Sequence, residues 1–179
     1  MTVWIALLRG INVGKAKRVA MAELRALFEE LGYKDVKTLL NSGNVVFSGG
    51  AASPASIEVK IEAAFTARFG FSSRITVLTA AELEAAVREN PRAVVEDPSR
   101  YFVAFVKSAG HRELIAPLSG ENWHPEVFAL GTRAAYMWCP GGALDSPLST
   151  RVNKALKDGV TVRNWATVLK LAELAKPAA

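Results

Sequence analysis

The sequence predicts an α+β protein made of two tandem ferredoxin-like halves, each in the order βαββαβ, with mainly antiparallel sheets and a C-terminal helix. Three observations predict it. Short apolar runs of strand length alternate with longer stretches whose apolar residues recur at helical spacing. The order strand, helix, strand, strand, helix, strand is complete by Leu78. The same order then returns from Tyr101 onward, without residue-level identity between the two halves.

Val3 to Leu8 is the first strand, and its unbroken apolar run predicts burial on both faces of a sheet. Residues 9 to 18 form a loop that carries Arg9, Lys15, Lys17 and Arg18 and no acid. Met21, Leu24, Leu27, Phe28 and Leu31 mark the buried stripe of the first helix, with Glu23, Glu29 and Glu30 outward and Gly32 as its stop. Val36 to Leu40 and Val45 to Phe47 are strands joined by the hairpin turn Asn41-Ser42-Gly43-Asn44. Gly49-Gly50 interrupts the pattern. Ser53-Pro54 opens the second helix, whose stripe is Ile57, Ile61, Ala64, Phe65 and Phe69, and Gly70 ends it. Ile75 to Leu78 closes an N-terminal half, residues 1–79.

Thr79 and Glu82 read as a capping box for a connecting helix with Leu83, Ala86 and Val87 inward, closed by Asn90-Pro91. Together with the polar run to Ser99 it forms a connecting segment, residues 80–99. The C-terminal half, residues 100–179, begins with a strand from Tyr101 to Val106 and a short helix from Arg112 to Leu118. A hairpin follows, Val127 to Leu130 and Ala134 to Trp138, across Gly131-Thr132. Residues 147–157 form a helix with Val152 and Leu156 inward. Val160 to Val162 is the last strand. The closing helix starts at Asn164 and turns Trp165, Val168, Leu169 and Ala172 to one side.

Half of the 179 residues are hydrophobic, enough for a sizeable core. No apolar run approaches the ~20 residues of a membrane span, and the N-terminus lacks a signal-peptide layout. A single cysteine, Cys139, excludes an internal disulfide framework and fits a reducing compartment. The expectation is a cytoplasmic protein with no membrane partner. A formal charge of +5 and a pI near 9.5 favour acidic partners.

The polar segments after the strands carry the functional expectation. Leu7-Leu8-Arg9-Gly10-Ile11-Asn12-Val13-Gly14 places a cation, a glycine, an amide and a second glycine just past a strand. Glycine admits φ > 0 and close approach, and a tight turn leading to a helix can aim N–H groups at an anion. The spacing is neither the dinucleotide fingerprint nor a P-loop. In a βαββαβ sheet the first two strands share a direction. Arg9, Gly10, Asn12 and Gly14 therefore meet Asn41, Ser42, Asn44 and Arg74 at one end. Amides that both donate and accept, beside planar guanidinium forks, suit a phosphate, a carboxylate or a nucleobase edge. The competing reading is that Asn41 and Asn44 only satisfy turn backbone.

A second candidate anion site lies in the other half. Gly141 and Gly142 precede a helix N-terminus, and Arg163 and Asn164 end a strand pointing the same way. Other chemistry finds no support in the spacing. His111 and His124 have no cysteine or acid at metal-ligand distance in sequence, so no metal is expected. Cys139 follows an apolar strand and reads as a small buried residue. Ser42 is not on a strand-to-helix elbow. Trp123-His124-Pro125 either lines a pocket or makes a turn.

Arg9-Gly10-Ile11-Asn12-Val13-Gly14, Met21-Ala22-Glu23-Leu24, Asn41-Ser42-Gly43-Asn44-Val45-Val46-Phe47 and Arg163-Asn164-Trp165 together resemble a bacterial family, the domain-of-unknown-function 1697 family. The resemblance covers nearly the whole chain. It implies a soluble protein of two related α+β halves and brings no established activity, substrate or catalytic residue. Two departures are visible: Gly14-Lys15 where the family often has a double glycine, and Leu148-Ser149-Thr150-Arg151 where a Ser-Lys-Leu run is usual.

The function these features favour is a binding module for a phosphate-bearing ligand, a nucleotide or RNA, through the basic loop and the 41–44 turn. The RNA-recognition aromatic strand motif is missing, since Gly43-Asn44-Val45-Val46-Phe47 keeps one aromatic. The alternatives are a small-molecule enzyme with an anionic substrate held by Arg9, Asn12 and Asn44, or a protein–protein adaptor. No residue pattern names a cofactor, and none sets an oligomeric state.

Overall fold

The computed structural model describes residues 1–177. The strands are β1 (Thr2–Leu8), β2 (Lys34–Leu39), β3 (Asn44–Gly49), β4 (Ile75–Thr79), β5 (Tyr101–Val106), β6 (Val127–Leu130), β7 (Ala134–Trp138) and β8 (Val160–Asn164). The helices are α1 (Met21–Glu30), α2 (Pro54–Phe69), α3 (Ala80–Arg88), α4 (Ala109–Ile115), α5 (Pro147–Leu156) and α6 (Trp165–Leu174). The strands form two four-stranded antiparallel sheets, ordered β2-β3-β1-β4 and β6-β7-β5-β8. The chain is thus α+β, each half is a βαββαβ unit, and a helix closes it. Two compact units result, one of Met1–Leu83 with the residues from Glu173 on, the other of Glu84–Ala172.

In the first unit β1 is an interior strand, paired with β3 through Ile5↔Val46 and with β4 through Ile5↔Leu78. Trp4 to Leu8 are all buried, as the unbroken apolar run requires. One face of this sheet, carrying Trp4, Ala6, Leu8, Val45, Phe47 and Val77, packs against Leu24 and Phe28 of α1 and Ile61 and Phe65 of α2. Phe47 meets the Phe28 ring edge-on at 5.1 Å and the Tyr33 ring at 4.6 Å, geometry that adds to the area buried. Helix α1 ends in a Schellman motif. Gly32 has φ 92°, its N–H donates to Glu29, and the Tyr33 N–H reaches back to the Phe28 carbonyl. Helix α2 starts at Pro54, with the Ser53 hydroxyl accepting from the Ser56 N–H, and stops at Gly70, φ 78°.

Strand β2 begins two residues before the expected Val36. Its register with β3 shifts between Lys34 and Lys37, where Asp35 takes φ 51°. A bulge of this kind hides a strand start from pattern reading, because the period of two fails there.

The edge strand β4 is sealed by carboxylates. The N–H groups of its alternate residues Ile75, Val77 and Thr79 donate to Glu62, Glu58 and Glu82, at 2.9, 2.9 and 2.8 Å. Glu58 and Glu62 lie one turn apart on α2, so a single helix face serves two of the three amides. This explains why Glu58 is buried in a helix otherwise inward-facing with Ile57, Ile61 and Phe65.

In the second unit Ala104, Ala135, Met137 and Val160 of the sheet pack against Ile115 of α4 and Leu148, Val152 and Leu156 of α5. The expected helix from Arg112 to Leu118 is instead α4 followed by a 3-10 turn, Ala116–Gly120. Pro117 has no N–H to extend the α-helical ladder, and the Ser108 hydroxyl starts α4 earlier by accepting from His111. The hairpin at Gly131-Thr132 is held by Glu89, which accepts from the Thr132 N–H at 3.0 Å and hydroxyl at 2.8 Å. Those two bonds hold the Glu89 carboxyl below its ordinary range. No helix among the described residues is long and apolar enough to cross a membrane.

Candidate functional site

The antiparallel pairing of β3 with both β1 and β2 gives β1 and β2 the same direction. Leu7 and Leu39 both lie opposite Asn44, and Leu8 lies opposite Ile75. The loop after β1, the turn before β3 and the start of β4 therefore share one rim. Backbone bonds knit it. The Leu8 N–H donates to the Gly43 carbonyl at 2.8 Å, and the Arg9 N–H to the Arg74 carbonyl at 3.0 Å. The Ser73 hydroxyl accepts from the Arg9 N–H and donates to the Arg9 carbonyl. Ser73 has no sequence signal of its own; in Ser72-Ser73-Arg74 either serine is indistinguishable from loop filler.

Asn12 is the hinge-pin of this rim. It takes φ 54°, a conformation asparagine tolerates better than most residues. Its side-chain NH₂ donates to the carbonyls of Val19 at 2.9 Å and Asn41 at 2.8 Å. Its Oδ1 accepts from the Val19 N–H at 2.8 Å, and its backbone N–H donates to Lys17 at 3.0 Å. One side chain thus closes the loop at residue 19 and ties it to the 40–43 turn. Asn44 works in the same way: it is fully buried, and its NH₂ donates to the Leu39 carbonyl at 2.8 Å and the Ser42 hydroxyl at 2.9 Å. The amides that sequence spacing nominated for a ligand are in large part bonded to the fold itself.

The glycines at the rim are used for shape. Gly10 and Gly14 take φ 73° and 64° with open space around them, as tight turns demand. Gly43, φ 90°, is different. A Cβ there would stand 2.7 Å from the Leu8 Cβ and 2.9 Å from the Ile11 Cδ1, so the turn passes directly over the end of β1.

The rim presents Lys15, Lys17 and Arg18 to solvent, together with the side chains of Asn41 and Ser42. Arg9 is half-buried. Arg74 belongs to the rim by its backbone, but its guanidinium turns to Glu62 of α2 at 3.3 Å. Two apolar side chains stand exposed at the same end: Val13, 72% exposed, and Leu40, 50% exposed and in the left-handed region at φ 57°. Lys15, Lys17 and Arg18 were legible, with Arg9, as a basic cluster. The exposed apolar pair was not, since Leu40 reads as the end of a strand.

The second candidate meets only in part. Trp138 and Asn164 lie opposite Tyr101 and Phe102, so the Gly141–Gly142 loop and the Arg163–Asn164 end share a rim of their sheet. They divide between its faces. Arg163 is paired with Val103, on the face that carries Tyr136, whereas α5 packs on the face of Ala104, Met137 and Val162. Alternation along a strand sends neighbours to opposite sides, so Arg163 is not beside the α5 N-terminus. Burial pulls its guanidinium down to about 10. Asn164 accepts from the Thr167 N–H at 2.9 Å and caps α6. Gly141 and Gly142 instead line an open cleft of about 420 Å³ with Trp123, His124, Glu126 and Asp145. There the Glu126 carboxylate accepts from the Leu148 N–H and the Ser146 hydroxyl, anchoring the start of α5. Trp123-His124-Pro125 makes a turn, closed by the Glu126 N–H on the Trp123 carbonyl at 2.8 Å, and also lines this pocket, whose charged lining residues are Glu126 and Asp145 while the Arg151 guanidinium lies over the Trp123 ring at 5.4 Å. Beside it Cys139 is buried, and burial pushes its thiol up to about 11, unsuited to nucleophilic work at neutral pH.

A family described as a protein of unknown function, DUF1697, matches residues 1–136. The fold is similar to that of the conserved bacterial protein SP0830 from Streptococcus pneumoniae, 26% identical over 98% of this chain and 99% of that one, with a TM-score of 0.75. No curated protein matches the sequence.

Proposed function

This chain belongs to the DUF1697 family, and from that premise we propose that it is a binding module for a phosphate-bearing ligand, a nucleotide or RNA, held at the 9–18 loop and the 41–44 turn. One observation carries the reading. Lys15, Lys17 and Arg18 stand exposed within four residues, on a loop with no acid, whose path is fixed by the Asn12 side chain. Among the described residues none of the three is engaged in an ion pair. Cations held on a pinned backbone lose less freedom on meeting an anion than cations on a loose one. Arg9 and the Asn41 and Ser42 side chains extend the same surface. A lone, buried Cys139 fits work in the reducing cytoplasm.

The test is a filter-binding titration of the purified chain against RNA, single-stranded DNA, duplex and nucleoside triphosphates at two salt concentrations. Binding that weakens steeply with salt and disappears in Lys15→Ala/Lys17→Ala/Arg18→Ala supports the reading. No binding at low salt, or binding indifferent to the triple substitution, ends it.

A further inference from the structure

We infer that the ligand of this rim is a single-stranded nucleic acid held through consecutive phosphates without regard to base sequence, an inference that rests on the phosphate-binding reading above. Three observations lead to it. First, Asn12 and Asn44, the amides best suited to reading a base edge, have their NH₂ groups bonded to the carbonyls of Val19, Asn41 and Leu39 and the hydroxyl of Ser42. Discrimination between bases needs such donors to face the ligand. Those two amides face the protein, and what the rim turns outward is the charge of Lys15, Lys17 and Arg18 with the Asn41 amide and the Ser42 hydroxyl beside it, too few fixed groups to tell four bases apart.

Second, the charge is gathered on one turn, which the Asn12 N–H closes on the Lys17 carbonyl. Lys15 to Arg18 are separated by three peptide links, at most about 11 Å of chain, and none shares its charge with an acid of the described residues. Three clustered cations neutralise neighbouring phosphates of one strand, each with its own counterions to release. Third, Val13 and Leu40 stand exposed, beside Asn12 and Asn41, which the 2.8 Å bond joins. Exposed aliphatic groups next to cations match a strand whose bases are unstacked and open to contact. In a duplex the bases are stacked inside, and these side chains would face phosphates instead. Leu40 holds its place at φ 57°, a conformation unfavourable for a branched side chain.

With three phosphates neutralised, the affinity should fall with salt at a log–log slope of about −2 for a single strand. Between 50 and 200 mM salt that is a loss of about 20-fold. The experiment uses the intact chain and fluorescent 12-mers of U and of A, with ATP, UTP, inorganic triphosphate, a duplex 12-mer and anionic phospholipid vesicles as competitors.

The expected result is equal affinity for the two 12-mers, that slope, and much weaker competition by every other species. Val13→Ser/Leu40→Ser should weaken the 12-mers several-fold and leave the slope unchanged, and the triple cation variant should flatten the slope. Competition by ATP or triphosphate equal to that of the 12-mers, with the triple variant losing all of it, overturns the polymer inference while the phosphate reading stands. Preference for the duplex, for one base, or for vesicles overturns it likewise. Failure of all of these to bind removes both readings. Circular dichroism of each variant separates loss of binding from loss of fold.

Discussion

Replacing Asn12 should open the basic loop while leaving the sheet intact. Its side chain makes three hydrogen bonds, two with Val19 and one with Asn41, all partly or wholly solvent-accessible. At about 0.5–1.5 kcal/mol each, and toward the lower end because water replaces part of them, their loss is worth about 2 kcal/mol. Asn12→Gly keeps the φ 54° backbone available and isolates that term. Asn12→Ala adds about 1 kcal/mol for a Cβ in the left-handed region. The loop ends are also fixed by the Leu8, Arg9 and Gly43 backbone bonds, so the effect should stay local. Native-state amide exchange is the assay, read at Val19, whose N–H donates to Asn12 Oδ1. A change of about 2 kcal/mol speeds exchange about 30-fold at that amide. Amides of β1 and β3 should keep their protection, and urea unfolding should shift by a smaller amount. Unchanged exchange at Val19 in both variants refutes the clamp, and with it the claim that the cations sit on a fixed path.

The remaining predictions follow from packing and protonation. Gly43→Ala should cost about 2–4 kcal/mol in urea unfolding, from a Cβ wedged against Leu8 and Ile11 and an unfavourable φ; a neutral outcome means the turn can lift off β1. Glu58→Ala should cost about 1.5–3 kcal/mol by leaving the Val77 N–H without this acceptor, and Glu58→Gln should recover much of that, since its carbonyl still accepts. Equal losses in the two variants would assign the role to packing rather than to the bond. All three tyrosines, Tyr33, Tyr101 and Tyr136, are shifted upward, chiefly by burial, with Tyr101 pushed up to about 12. A raised native value means that stability is complete below the unfolded value near 10 and is lost as pH climbs toward 12. Absorbance at 295 nm should therefore show less tyrosinate in the folded chain than in the unfolded chain at pH 10, with Tyr101 and Tyr136 ionising only as the chain unfolds above it.

Much of the fold was written in periodicity. The unbroken Val3–Leu8 run marked an interior strand, Gly32 and Gly70 marked helix ends, and strand order alone brought residues 9–18 and 41–44 to one rim. What escaped were features with no period. The shift at Asp35 breaks alternation, and Pro117 turns an α-helix into a 3-10 turn because a missing donor acts on its neighbours. The meeting of these segments at one rim was legible, and the bonding of their side chains was not. A sequence shows that Asn12 and Asn44 carry amides; it does not show whether those amides face outward or are bonded to carbonyls nearby in space. The separation of Arg163 from Gly141 and Gly142 has a similar cause, since one residue of register decides the face on which a side chain emerges.

The carboxylates along β4 bear on how copies of this chain behave when crowded. A sheet flank with bare amides invites another chain to add a strand, and repeated addition is how soluble proteins polymerise. Here Glu58, Glu62 and Glu82 have taken those amides already, so a newcomer would first have to displace three anions from their donors. The opposite flank, β2, is bent at Asp35 and carries Lys34 and Lys37 exposed, which repel a like strand. Both open sides of this sheet are thereby defended against self-assembly, one by acids turned inward and the other by bases turned outward.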